Sequence, residues 1–145
     1  MNSLSEEENK KMYNSLINIL SNKEKIIIDI NSIIRIDDLN EGIQFTFDGV
    51  YSDSIRYYTD NMTWDDITKN FWFRLSEVEK IHFIETKTHT IFKPREYDVN
   101  VIINKKYIRM AHSQKDDKTK SVIMLTSGEI AVDMPIDQLN ELIAR

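Results

Sequence analysis

Short runs in which isoleucine, valine or an aromatic residue alternates with a polar one recur through this chain. That pattern limits the folds open to it more than any other feature. Ile43, Phe45 and Phe47 alternate with Gln44 and Thr46; Ile26, Ile28 and Ile30 share a period of two, and Ile34 and Ile36 resume it after Asn31-Ser32. A period of two puts every second side chain on one face of a strand. The stiff, β-branched side chain of isoleucine suits a pleated surface better than a helix. The spacing predicts strands over residues 25–38 (with a bulge or turn at Asn31-Ser32), 43–47, 50–59, 81–85, 88–92, 98–103, 107–112, 122–125 and 129–133. Asp48-Gly49, Asn104-Lys105-Lys106 and Thr126-Ser127-Gly128 read as tight turns between consecutive strands, which implies antiparallel pairing. Pro94 marks a boundary, because it cannot donate to a ladder.

Three helices are expected around these strands. Ser5 and Glu8 match a capping box, and Met12, Tyr13, Leu16, Ile17 and Leu20 recur near the helical period up to Asn22, which predicts an N-terminal helix. Thr63 with Asp66 caps a short middle helix through Ile67 to Phe71, and Ser76 with Glu79 allows one further turn. Pro135 suits the first turn of a C-terminal helix whose apolar face is Ile136, Leu139, Leu142 and Ile143. The expected fold class is α+β, a mostly antiparallel sheet or partly open barrel of about seven to nine strands, in a single domain over residues 1–145. Strands closed by a C-terminal helix are also similar in order to pleckstrin-like barrels.

Composition narrows the chemistry. With no Cys, disulfides, thiolate metal sites and a Cys nucleophile are excluded. Three glycines, at 42, 49 and 128, cannot build GxGxxG or GxxxxGK[ST] phosphate loops, and no GxSxG occurs. His82, His89 and His112 lack metal-site spacing; were 81–91 one strand, Glu85 and His89 would share a face and His112 could join them. The paired acids Asp37/Asp38, Asp65/Asp66, Glu77/Glu79 and Asp116/Asp117 suit caps and loops better than a catalytic pair. No cofactor, metal site or enzymatic activity is expected. The start, MNSLSEEENKK, has no apolar h-region, and no apolar run approaches a membrane span, so a cytoplasmic location is the default expectation.

Charge is unevenly placed. The net charge is −5, but residues 1–66 hold 13 acids and 6 bases, whereas 67–145 hold 11 acids and 13 bases. Within 86–120 lie Lys87, Lys93, Arg95, Lys105, Lys106, Arg109, Lys115, Lys118 and Lys120. Bases interleaved with Tyr107 on a β-ribbon can contact phosphates and stack a base. Lys93, Arg95, Lys105, Lys106 and Arg109 are the candidate nucleic-acid-binding residues on that ground.

Residues 73–85 (FRLSEVEKIHFIE), 107–113 (YIRMAHS) and the final hairpin and helix resemble LytTR-type DNA-binding domains, a family running strand, strand, helix, strand with a late RxHRS stretch. The resemblance spans half of the chain. Pro94 and strand-like residues stand where that family has its central helix, and Ala111 interrupts the basic stretch, so no residue roles are carried across. It implies a nucleic-acid-binding regulator.

The acid-rich stretch makes a competing case, and it sets the primary expectation. Asp37, Asp38, Glu41, Asp53, Asp60, Asp65 and Asp66 fall mostly in loops and caps, with Tyr51, Tyr57, Tyr58 and Trp64 among them. Acids around exposed aromatics suit an interface that steers and anchors a basic protein partner. The primary expectation is therefore a non-enzymatic protein-binding module that neutralises or regulates a partner, like a toxin-immunity protein or a phage-encoded inhibitor. The nucleic-acid-binding regulator is the alternative.

Overall fold

The computed structural model describes residues 15–49, 53–92 and 95–145. Ten strands run in the order β1 (Leu16–Leu20), β2 (Lys25–Asp29), β3 (Ile33–Asp38), β4 (Ile43–Phe47), β5 (Ile55–Thr59), β6 (Phe83–Phe92), β7 (Arg95–Asn104), β8 (Ile108–Ser113), β9 (Ser121–Leu125) and β10 (Gly128–Val132). Helices α1 (Trp64–Arg74) and α2 (Glu77–Lys80) lie between β5 and β6, and α3 (Ile136–Ile143) follows β10. The α+β class and the antiparallel pairing are as the sequence implies.

The barrel expectation is corrected: the strands form three separate antiparallel sheets, β1-β2, β5-β4-β3-β7-β6 and β10-β9-β8. An N-terminal helix is not shown. Residues 1–14 lie outside the described part, and Leu16–Leu20 is a strand. Apolar residues at 16, 17 and 20 fit a helical stripe, but Ile17 and Ile19 are the buried pair, and they alternate. Pairing with the isoleucine-rich β2, Ile17 with Ile28 and Ile19 with Ile26, decides between two periods that so short a run cannot separate.

The five-stranded sheet is the middle layer and carries a core on each face. On one face Ile33, Ile36, Ile43, Phe45, Phe83 and Ile102 pack against Ile17, Ile19 and Ile28 of the β1-β2 hairpin and Ile67 and Phe71 of α1. On the other, Ile34, Ile84, Val101 and Ile103 pack against Ile123, Leu125, Ile130 and Val132 of the three-stranded sheet and Leu139 of α3. Burial on both sides explains why adjacent isoleucines, Ile33 and Ile34 of β3 and Ile102 and Ile103 of β7, are all buried, one of each pair in each core. Thr86 and Thr88, also buried, keep the alternation going between two stretches that the sequence reads as separate strands. β6 is therefore one ten-residue strand.

α1 begins as expected, with a reciprocal capping box between Thr63 and Asp66, and α2 repeats the device with Ser76 and Glu79. Of the aromatic triplet, Phe71 is fully buried and Phe73 is 85% exposed, because adjacent helical residues point about 100° apart. Glu24 ties the first turn to the middle sheet, accepting hydrogen bonds from the hydroxyls of Tyr57 and Thr59.

Gly42 closes the β3-β4 turn where nothing larger fits. A Cβ there would lie 2.5 Å from the carbonyl oxygen of Thr59 and 2.6 Å from the Tyr58 hydroxyl. We expect Gly42→Ala to cost about 1 to 3 kcal/mol, read as a lower urea midpoint at unchanged m-value.

Candidate nucleic-acid interface

The corner between β7 and β8 gathers the basic residues of residues 105–109. The sequence reads this corner as a tight hairpin turn. The structure makes it a crossing between two sheets, because β7 ends in the five-stranded sheet and β8 begins the three-stranded one. A 3-10 turn, Lys105–Tyr107, carries the chain across, with the Asn104 side chain accepting from the Lys106 amide at 3.0 Å. Asn104 is 2% exposed, and its amide donates to the Ile33 carbonyl at 2.9 Å. Three further bonds fix the corner: the Lys105 amide to His82 O at 2.7 Å, the Thr126 amide to Tyr107 O at 3.2 Å, and the Tyr107 hydroxyl to Asn31 O at 2.6 Å. The corner is thus tied to three other segments of the chain, at Asn31 to Ile33, at His82 and at Thr126.

Lys105 donates to the Arg145 carbonyl at 3.0 Å, and its partial burial holds its pKa below the ordinary lysine value. Lys106 is exposed, with its ammonium 5.6 Å from the Tyr107 ring centre, a cation–π arrangement. Burial, with Asp48 and Asp29 nearby, pushes the Tyr107 phenol up, so it stays a neutral donor. A register shift between Ile108 and Met110 leaves Arg109 out of the ladder and exposed, as a bulge does when it re-aims a side chain.

β8 is the outer strand of its sheet, and it continues the basic line. His112 is exposed, and its Nδ1–H donates to Ser113 O at 2.8 Å. The loop after β8 adds Lys115, Lys118 and Lys120; its Asp117 accepts from the Thr119 amide and hydroxyl, which hold its carboxyl below the usual range. Residues 105–120 carry six bases against two acids. None of the six bases forms an ion pair with a described residue; the two described ion pairs are Arg35–Asp37 and Lys80–Glu77. Lys115, Lys118 and Lys120 are absent from the sequence-derived candidate set, although their density over 105–120 was there to find them.

Arg95 does not join this line. Lys93 lies outside the described residues, and Arg95 opens β7 at the far end from Lys105. Ten strand residues at about 3.3 Å each put roughly 30 Å between them.

The seven acidic candidates are scattered and partly consumed by the fold. Asp37 is 5% exposed and bonded to Arg35. Asp38 accepts from the Asn40 amide at 3.0 Å, bracing a residue at φ 70°. Asp66 caps α1. Glu41, Asp53 and Asp60 are exposed on separate bends, and Asp65 is exposed in the first turn of α1. Tyr57 and Tyr58 are exposed on β5, Trp64 is packed against the core, and Tyr51 lies outside the described residues. β6 is the continuous strand that would let Glu85 and His89 share a face, yet among the described residues no three His, Asp or Glu side chains gather as metal ligands. No helix among them is long and apolar enough to cross a membrane.

These features define a class: an antiparallel, three-sheet α+β module with a basic edge. No family model and no curated protein matches the chain. Among solved structures it is similar to the LytTr DNA-binding domain of a Bacillus cereus protein described as a methyl-accepting/DNA response regulator, with TM-score 0.50 and 10% identity over 90% of this chain and 98% of that one. At that identity the likeness is one of fold. It overturns the expectation of an immunity- or inhibitor-like module that neutralises a protein partner: the fold is shared with a domain that binds DNA, and the acids behind that expectation are capping, paired or dispersed.

Proposed function

We propose that this chain is a DNA-binding module that lays the edge formed by the Lys105–Tyr107 turn, β8 and the following loop along the phosphates of a duplex. The observation that carries the reading is the coincidence of two things. The fold is similar over nine-tenths of the chain to a DNA-binding domain, and the strongest run of unpaired bases, Lys105, Lys106, Arg109, Lys115, Lys118 and Lys120, falls on one outer edge of it. Phosphate contacts need sustained local positive potential, and an edge of this kind supplies it in a chain that is acidic overall. Lys106 and Arg109 are the residues we assign to phosphate, since both are exposed and the corner beneath them is rigid. His112 and Met110 face outward beside them, where they would meet sugar or groove edges. On this reading the chain acts by binding, without bond chemistry of its own, and Arg95 forms no part of the contact.

The test is titration of a fluorescent duplex by anisotropy across a salt series. Neutralising Z phosphates gives a slope of about −0.9Z in log K against log salt. Contact by most of the six bases therefore predicts a slope of roughly −4 to −5. A salt-independent signal, or no binding at about 50 mM salt, would sink the reading.

A further inference from the structure

The two outer strands of the middle sheet are guarded unequally. β6 is partly covered, since the Asp133 amide donates to its Lys87 carbonyl at 3.0 Å. β5, at the other edge, has only β4 beside it among the described residues. Edge strands of soluble proteins are ordinarily blunted by lysine, proline or a bulge. β5 has none of the three. Its sequence is IRYYT, and it pairs with β4 over five residues without a register shift. Ile55 is 56% exposed, Tyr57 40% and Tyr58 50%. Arg56, also exposed, is the single charge of the strand. Ile55 and Tyr57 lie on the face of Phe45, whose ring is 6.4 Å from that of Tyr57, and Arg56 and Tyr58 lie on the other.

Alternation fixes which backbone groups this edge offers. The Leu39 amide donates to the Gly42 carbonyl at 2.9 Å, so Leu39 and Gly42 are a hydrogen-bonded pair at the β3-β4 turn. Two residues along, Asp37 and Gln44 are another. Gln44 therefore turns its amide and carbonyl toward β3, and Phe45 turns its own toward β5. Phe45 pairs with Tyr57. Tyr57 thus bonds β4, and its neighbours Arg56 and Tyr58 turn amide and carbonyl outward. The Thr59 carbonyl, which must then point toward β4, lies against Gly42 just before that strand.

We infer that β5 pairs antiparallel with β5 of a second copy of this chain, centred on Tyr57, and so joins two five-stranded sheets across a two-fold axis. In that register Arg56 falls opposite Tyr58 of the second copy, and Ile55 opposite Thr59. The outward groups of Arg56 and Tyr58 then meet one another and exchange four backbone hydrogen bonds. The guanidinium lies beside a tyrosine ring, a favourable cross-strand pair. No like charges meet: Ser54 falls opposite Asp60, and Asp53 opposite Asn61. Centring on Arg56 would set two guanidinium groups directly opposite, which is destabilising. Centring on Tyr58 would carry Arg56 past the end of the strand, to Asp60. Tyr57 is the midpoint of Ile55–Thr59, so this register alone uses the whole edge. The pairing stands on β5 and is independent of the DNA reading of β8.

The chain has no cysteine, so a single introduced one reports the register. Tyr57→Cys sets two thiols opposite each other in a non-hydrogen-bonded pair, with Cα atoms about 4.5 Å apart, within disulfide reach. Ile55→Cys sets them four residues apart along the strands, about 13 Å, which is out of reach. With oxidised glutathione as the oxidant, the first variant is expected to give a covalent dimer and the second none. Sedimentation velocity of the unaltered chain at rising concentration should show a reversible dimer. Arg56→Pro removes an outward amide and leaves the bonds to β4 in place. It should weaken the dimer about tenfold or more, two backbone bonds being lost per pair, while Lys106→Ala leaves it unchanged. Circular dichroism of the dilute variants shows that each is folded. A chain that stays monomeric at every concentration, or equal cross-linking from both cysteines, would overturn the inference. So would slow hydrogen exchange at Arg56 and Tyr58 in a monomer, because the chain would then cover its own edge. No DNA is present, so the result is separate from that of the duplex titration.

Discussion

Reversing two charges, Lys106→Glu with Arg109→Glu, is expected to lower duplex affinity by about a hundredfold or more at low salt, with no change in thermal midpoint. Each hydrogen bond to a charged group is worth about 1.5 to 3 kcal/mol, and reversal adds repulsion from the phosphates. The salt slope should fall by about 1.8, the share of two neutralised phosphates. Both side chains are exposed and unpaired, and the backbone beneath them is held by Asn104, His82, Asn31 and Thr126, so the variant keeps its fold. Two comparisons make the result specific. Charge reversal at Lys25, exposed on β2 in a different sheet, should leave the affinity within about twofold, since charges beyond a Debye length of ~10 Å are screened. Neutral variants of Lys115 and Lys118 should each reduce the slope by about 0.9. Equal losses from all of these variants would mean that net charge, and no particular edge, governs binding.

Asp37→Ala should be the most damaging substitution among the acidic residues, costing about 2 to 4 kcal/mol of stability. Its carboxylate side chain is 8% exposed and that of Arg35 19%. Removing one member of a buried pair leaves the other charge without a partner, at about 3 to 5 kcal/mol in the fully buried case; the partial access of water to Arg35 lowers this figure. Replacing both residues together, Arg35→Met with Asp37→Leu, should recover most of the loss, because two apolar chains of similar volume leave no charge behind. Chemical denaturation of the three variants decides it. If Asp37→Ala is neutral, the pair is a surface contact that adds little to stability. Asp38→Ala, which frees only the Asn40 turn, should cost about 1 kcal/mol at most.

The sequence carried the strand content and most of the caps, because those are local. Ile43, Phe45 and Phe47 alternate whatever surrounds them, and Thr63-Asp66 and Ser76-Glu79 cap their helices within four residues. What it did not carry depended on partners far along the chain. Leu16 to Leu20 fits a helix until β2 pairs with it. Asn104 to Lys106 looks like a hairpin turn until one sees that β7 and β8 belong to different sheets. The acidic candidates were visible as charges, but whether Asp37 faces water or Arg35 depends on which face of β3 the other layers cover. The basic edge was half legible: Lys105, Lys106 and Arg109 stood out, whereas Arg95, near in sequence, is carried a full strand length away.

The middle sheet joins its two halves through one seam, β3 against β7, with Arg35 opposite Ile103. Everything needed for β3, β4 and β5 leaves the ribosome long before β7 exists, so a nascent chain carries β3 with one side of its ladder bare. Contacts this distant in sequence make for slow closure, and a bare, isoleucine-rich strand invites pairing with other chains in the interval. Yield in cells should therefore track the speed at which residues 60–104 are synthesised and docked more closely than it tracks the stability of the finished molecule.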